Sequence, residues 1–171
     1  MILMLDFDGV LHPQDVYEKN GRPVLCAEGE LFMWAPLLVR ALDPFPDIQI
    51  VLSTAWVYRM GFEYACKALP DSLRNRVIGV TFDTATDDWN YMTRYEEIGR
   101  YVSVNKIEHW ISVDDDHVGW AEDQRYRLVQ SDPDWGISEP QVFKRLQSAL
   151  LELSLLRQNS KARLGEGRCE V

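Results

Sequence analysis

The first dozen residues, Met1-Ile2-Leu3-Met4-Leu5-Asp6-Phe7-Asp8-Gly9-Val10-Leu11-His12, constrain the fold more than any other stretch. An apolar run of strand length ends in two carboxylates spaced i, i+2, and a glycine follows. Apolar residues without alternation describe a strand buried on both faces, as in a parallel sheet. Ligands of such sheets bind beyond the carboxyl ends of the strands, which is where Asp6 and Asp8 fall. Two buried carboxylates side by side are costly unless a cation, a proton or a donor network compensates them. The rest of the chain must therefore supply that compensation.

At 171 residues the chain has the length of one domain and can bury a full core without staples. Its three cysteines, Cys26, Cys66 and Cys169, are odd in number and widely spaced, which argues against a disulfide framework or a zinc cluster. No basic segment precedes the first apolar run, and that run stops at Asp6, so neither a signal peptide nor a membrane span is expected and the chain reads as cytoplasmic. The net charge of -9 argues against stable non-specific binding to nucleic acid, since phosphate contacts need lysine and arginine. It leaves room for a small phosphorylated group as substrate.

After Gly9, a segment carrying Pro13, Gly21 and Pro23 suits a turn or hairpin over the strand end. Apolar spacing predicts a helix over 31–42, stopped by Asp43-Pro44-Phe45-Pro46-Asp47. A second strand, 48–52, ends in Ser53-Thr54-Ala55-Trp56, where two hydroxyls open a helix over 57–68. A helical turn at 71–75 leads to a third strand, 77–81, and a polar, aromatic loop at 82–92. A helix over 95–104, with a start as early as Thr93, precedes a fourth strand at 109–113 that runs into Asp114-Asp115-Asp116. A short strand at 126–130 and a helix over 139–156 complete a domain spanning 1–156, and 157–171 reads as a flexible polar tail. Strands alternating with helices give an α/β fold with a central parallel sheet.

Three strand ends thus carry polar chemistry: Asp6 and Asp8, Ser53 and Thr54, and Asp114 to Asp116. In a parallel sheet all three share one edge. Two carboxylates about 4 Å apart repel by roughly 4 kcal/mol at an effective dielectric near 20, a large share of a domain's stability of about 10 kcal/mol. A divalent cation removes the conflict, and an all-oxygen donor set suits Mg2+. Mg2+, a carboxylate nucleophile and hydroxyl donors together fit phosphoryl transfer, in which one aspartate forms an aspartyl-phosphate and a second moves protons. A basic side chain should complete the neutralisation of the phosphoryl group; the candidates are Arg94, Arg59, Arg100 and Lys106.

Asp6-Phe7-Asp8-Gly9-Val10-Leu11, Ser53 or Thr54 after the second strand, and Asp114-Asp115 after Val113 resemble three motifs of the haloacid dehalogenase (HAD) superfamily of phosphatases. Its remaining motif, a lone basic residue at a helix start, fits Arg94 best. More narrowly, Trp34-Ala35-Pro36-Leu37-Leu38, Ile50-Val51-Leu52-Ser53-Thr54-Ala55-Trp56 and Arg76-Val77-Ile78-Gly79-Val80-Thr81 resemble the small HAD domain associated with RNA-repair proteins. The resemblance implies a Rossmann-like three-layer sandwich with a minimal cap or none, and a Mg2+-dependent phosphatase. It implies Asp6 as nucleophile and metal ligand. Asp8 becomes the general acid and base, lending its backbone carbonyl to the metal, and Asp114 and Asp115 the acidic metal ligands. Ser53, with Thr54 and Gly9, would bind the phosphoryl group, and Arg94 would stabilise its charge. The phosphorylated partner it implies would be a nucleotide, a nucleic-acid end or a small metabolite.

Blander expectations stand beside these. His12 reads as a turn residue next to Pro13, and Asp116 as a cap or turn residue. Trp56, Trp89 and Tyr91 are core or rim packing, or a stacking platform for a base; Asp83, Asp87 and Asp88 belong to a solvated loop or extend the metal site. The functional alternative to a phosphatase is a catalytically silent HAD-like module that binds without turnover. Transfer to an alcohol instead of water shares the aspartyl intermediate.

Overall fold

A computed structural model describes residues 1–82 and 92–166, with the side chains of the last helix described as far as 158. The expectations placed on Asp83, Asp87, Asp88, Trp89 and Tyr91 lie outside the described residues.

Strand β1 (Ile2–Leu5) is buried along its whole length. It lies at the centre of the sheet because both faces are covered. Leu3 and Leu5 face a cluster containing Ile50, Leu52, Leu38 and Leu146. Ile2 and Met4 face a smaller cluster with Val51, Ile98, Trp110 and Trp120. The chain then forms a hairpin, β2 (Val16–Lys19) and β3 (Arg22–Leu25), paired antiparallel. Its two-residue turn is Asn20-Gly21, both at positive φ (54° and 72°), as a turn that follows the twist of its strands requires.

Helix α1 (Ala35–Leu42) starts later than the apolar spacing predicts. Phe32 takes φ 62°, which no right-handed helix accommodates, and Pro36 falls in the first turn, where its missing N–H costs nothing. Strand β4 (Gln49–Leu52) follows. The single helix expected over 57–68 is two, α2 (Ala55–Met60) and α3 (Phe62–Ala68), broken at Gly61 with φ 88° and ψ 156°. The one-turn α4 (Asp71–Arg74) leads to β5 (Val77–Val80). Helix α5 (Arg94–Val104) is opened by Thr93, whose hydroxyl accepts the Glu96 N–H while the Glu96 carboxylate accepts the Thr93 N–H.

Strand β6 (Trp110–Asp114) takes in Asp114 as its last residue. A 3-10 turn, Glu122–Arg127, absorbs the start of the strand expected at 126, leaving β7 as Leu128–Gln130. The final helix α6 (Pro140–Glu166) carries ten residues of the expected tail; 167–171 lie outside the described residues.

Among the described residues five parallel strands form one sheet in the order β5-β4-β1-β6-β7. Helices on both faces make three layers. The chain runs outward from β1 through β4 to β5, then returns across the sheet to β6. The order therefore reverses between β1 and β6, and the crevice at their carboxyl ends is where such sheets bind ligands. No helix among the described residues is long and apolar enough to cross a membrane.

Candidate active site

Parallel pairing fixes the site's width. Leu5 is in register with Leu52 on one side and Val113 on the other. Asp6, Ser53 and Asp114 are the next residues on those three strands, so they line one edge. The Asp6 N–H donates to the Val113 carbonyl at 3.2 Å, and the Ser53 N–H to the Leu5 carbonyl at 2.8 Å. The side chains of all three are buried.

Asp6, Asp114 and Asp115 each offer a carboxylate oxygen, and the three oxygens lie within 4.8 Å of one another. Gly9 makes this possible. Its φ of 67° is left-handed, and a Cβ there would sit 2.6 Å from Cγ of Asp115. The Gly9 carbonyl accepts the Ser131 hydroxyl at 2.7 Å, and the Ser131 N–H donates to the Asp114 carbonyl at 3.0 Å. The turn after β1 is thereby tied to the ends of β6 and β7.

Arg94 reaches this group from the first turn of α5. Its Nη2 lies 4.0 Å from Asp6 Oδ1, its Nε 3.3 Å from Asp114 Oδ2, and its Nη1 donates to Glu97 Oε2 at 3.2 Å. Of the four cationic candidates, it is the one that the fold brings to Asp6. Arg100 instead donates to the Thr81 carbonyl, and Lys106 lies just past the far end of α5. Glu97, buried, also lies 3.4 Å from the Thr81 hydroxyl, which in turn is 3.3 Å from Ser53 Oγ. A polar chain thus runs from Arg94 through Glu97 and Thr81 to Ser53.

Charge in this edge is unbalanced. Burial pushes the Asp6 carboxyl up to about 7; Arg94 opposes this, and Asp8 and Asp115 reinforce it. Burial likewise raises Asp114, with Asp6 adding to it and Arg94 opposing, and it raises Asp115. Burial alone would lower the Arg94 guanidinium, but Asp6, Asp114 and Glu97 hold it above its ordinary value. Three carboxylates face one guanidinium that is shared with Glu97. Asp114 Oδ2 is buried without a hydrogen-bond partner, since its 3.3 Å approach to Arg94 Nε lacks hydrogen-bond geometry. An orphaned buried carboxylate oxygen beside two others is a fitting donor set for a hard divalent cation.

Asp8 is placed differently. Its Oδ1 accepts the Trp56 indole N–H at 2.8 Å and lies 3.0 Å from His12 Nε2. Its side chain is outside the three-carboxylate group, so what it could offer a metal is its backbone carbonyl. Thr54 is the N-cap of α2, its hydroxyl accepting the Trp56 N–H. It also lines a cavity of about 270 Å³ whose described wall includes Arg59, Arg94 and Asp116. Asp116 accepts the Val118 N–H, the turn role expected of it.

His12, expected as a turn residue beside Pro13, directly follows the turn after β1, where it is fully buried and hydrogen-bonded to Asp8. Of the two readings of Trp56, core packing holds and base stacking does not: it is 2% exposed, and its indole N–H donates to Asp8. Thr81, Glu97 and Ser131 had no sequence signal of their own.

A family described as the HAD domain in Swiss Army Knife RNA repair proteins matches residues 2–142, most of the chain. The chain belongs to that family. The matched span of this HAD domain runs from β1 into the start of α6 and contains every site residue described above. No curated protein and no solved structure matches it. Membership carries a phosphatase-like core, and the buried aspartate cluster is compatible with a metal.

Proposed function

We propose that this HAD domain is a Mg2+-dependent phosphomonoesterase working through an aspartyl-phosphate on Asp6. The observation that carries the reading is the group of Asp6, Asp114 and Asp115 at the sheet's switch point, with Asp114 Oδ2 orphaned and Arg94 beside it. The ion would be held by those carboxylates and the Asp8 carbonyl, and when bound it supplies charge neutralisation for the phosphoryl oxygens.

The chain's own residues divide the remaining work. Arg94 and the Ser53 hydroxyl hold and orient the phosphoryl group. A carboxylate oxygen of Asp6 bonds to phosphorus as the ester P–O bond breaks. The electron pair goes to the leaving oxygen, which takes a proton from Asp8. Water then attacks phosphorus, gives a proton to Asp8, and Asp6 departs as carboxylate. The two-stranded hairpin is too small to enclose a metabolite, and the family is described from RNA repair proteins. Both support phosphorylated nucleic-acid ends over sugar phosphates. The acidic chain would grip the end and not the polymer.

The test is turnover of p-nitrophenyl phosphate with Mg2+, followed by a screen of 5'- and 3'-phosphorylated oligonucleotides, nucleotides and sugar phosphates. Asp6→Asn should abolish turnover with the fold intact; undiminished activity in that variant sinks the mechanism. One observation favours a second reading, the silent module: the Arg94 guanidinium is shared among three acidic side chains of the chain itself, Asp6, Glu97 and Asp114. Mg2+ binding with no hydrolysis across the panel would support it.

A further inference from the structure

We propose that His12 and Trp56 are positioning residues for Asp8. They pin one oxygen of its carboxyl group inward and leave the other, Oδ2, as the only oxygen that exchanges a proton with substrate. This rests on Asp8 being the general acid and base.

Hydrogen-bond directions carry the inference. The Phe32 backbone N–H donates to His12 Nδ1 at 3.2 Å. A ring nitrogen that accepts carries no proton, so in the neutral ring the proton lies on Nε2. Nε2 therefore donates to Asp8 Oδ1 at 3.0 Å, the same oxygen that accepts the Trp56 indole N–H at 2.8 Å. Two N–H groups that can only donate converge on one oxygen. The acid form of Asp8 cannot carry its hydrogen there without facing both donors, so it carries it on Oδ2.

The donors are themselves closely packed. His12 is fully buried and Trp56 nearly so. Trp56 meets the Phe7 and Phe32 rings edge-on at centroid distances of 5.6 and 5.2 Å. His12 meets Phe32 in the same way at 5.0 Å. Phe32, whose N–H sets the histidine tautomer, sits at φ 62°, a conformation rare for a bulky residue and held only where the surroundings over-determine it. The Asp8 side chain is 23% exposed, so without the two donors its carboxyl group would be free to rotate.

In the first half-reaction the electron pair of the broken P–O bond stays on the leaving oxygen, which takes the Oδ2 proton as the Asp6–phosphorus bond forms. kcat/KM reports only the steps up to that aspartyl-phosphate. A p-nitrophenolate leaves without much help, whereas an alkoxide needs the proton. Trp56→Phe keeps the ring and removes the N–H. His12→Asn keeps an acceptor for Phe32 but is too short to reach Asp8, and His12→Gln restores a donor at the right reach. We expect kcat/KM for an alkyl phosphate to fall by roughly 10- to 100-fold in Trp56→Phe and His12→Asn. For p-nitrophenyl phosphate the fall should stay within about 3-fold, with partial recovery in His12→Gln. Equal losses on both substrates, or none, overturn the proposal.

A wild-type protein inert toward every phosphomonoester would sink the phosphatase reading instead. The clamp is then judged by 15N NMR. His12 should show a protonated Nε2 and an unprotonated Nδ1. That pattern and the Trp56 indole N–H, assigned through Trp56→Phe, should both shift in Asp8→Ala. Resonances indifferent to Asp8→Ala overturn it.

Discussion

Asp6 is the residue whose chemistry and stability pull in opposite directions. In the unfolded chain its carboxyl ionises near 3.8, and in the folded chain burial holds the proton until about 7. The contribution is therefore full below pH 3.8 and is lost as pH rises to about 7. Asp114 and Asp115 are shifted in the same direction and add to the loss. Thermal denaturation of the metal-free protein should show stability declining across that window. Asp6→Asn should flatten part of the decline, gaining on the order of a few kcal/mol at pH 8 while turnover disappears. Gly9 is the second such residue. Gly9→Ala needs a left-handed alanine and drives a methyl group into Asp115, so it should cost about 1–3 kcal/mol. It should also weaken Mg2+ binding measured by calorimetry; unchanged affinity would mean that Asp115 is not a ligand.

Elements matter here through how they end. Helix α5 begins with a reciprocal Thr93–Glu96 cap, and Arg94 is its first residue, so the cap sets where the guanidinium starts. Thr93→Ala should cost about 1 kcal/mol by denaturant titration and lower kcat modestly. Arg94→Ala should lower kcat by about 100-fold or more, as removal of a charge-stabilising donor does. Similar losses in the two variants would mean that Arg94 contributes only structure. Between β7 and the turn after β1, Ser131 is the tie. Its Ala variant leaves the Gly9 carbonyl without that donor and should destabilise by about 1–3 kcal/mol.

For the whole molecule, the sheet order is the deciding fact. It brings residues more than a hundred positions apart in sequence, Asp6 and Asp114, to adjacent strands at the point of reversal. A cation binding there and not to the unfolded chain should stabilise by about 2.7 kcal/mol at a hundredfold excess over Kd. For a chain of this size that is a rise in Tm of roughly 5–10 °C, reversed by chelator and absent in Asp114→Asn. A Tm indifferent to Mg2+ would remove the metal from the proposed site. The sequence by itself determined the α/β class and the three polar strand ends. Apolar strands and their terminal residues are local patterns, written in consecutive positions, and parallel pairing then leaves them only one edge to share. The break at Gly61, the late start of α1 at Ala35 and the 3-10 turn before β7 were beyond it, because apolar spacing carries no information about a single left-handed residue or a tightened turn. Only the tertiary structure decided the partners. That Arg94 and not Arg59, Arg100 or Lys106 meets Asp6 depends on how α5 packs on the sheet. That His12 and Trp56 grip Asp8 depends on the buried packing of Phe7 and Phe32 around them. Hydrogen bonds between side chains distant in sequence are fixed by packing, and no spacing along the chain encodes them.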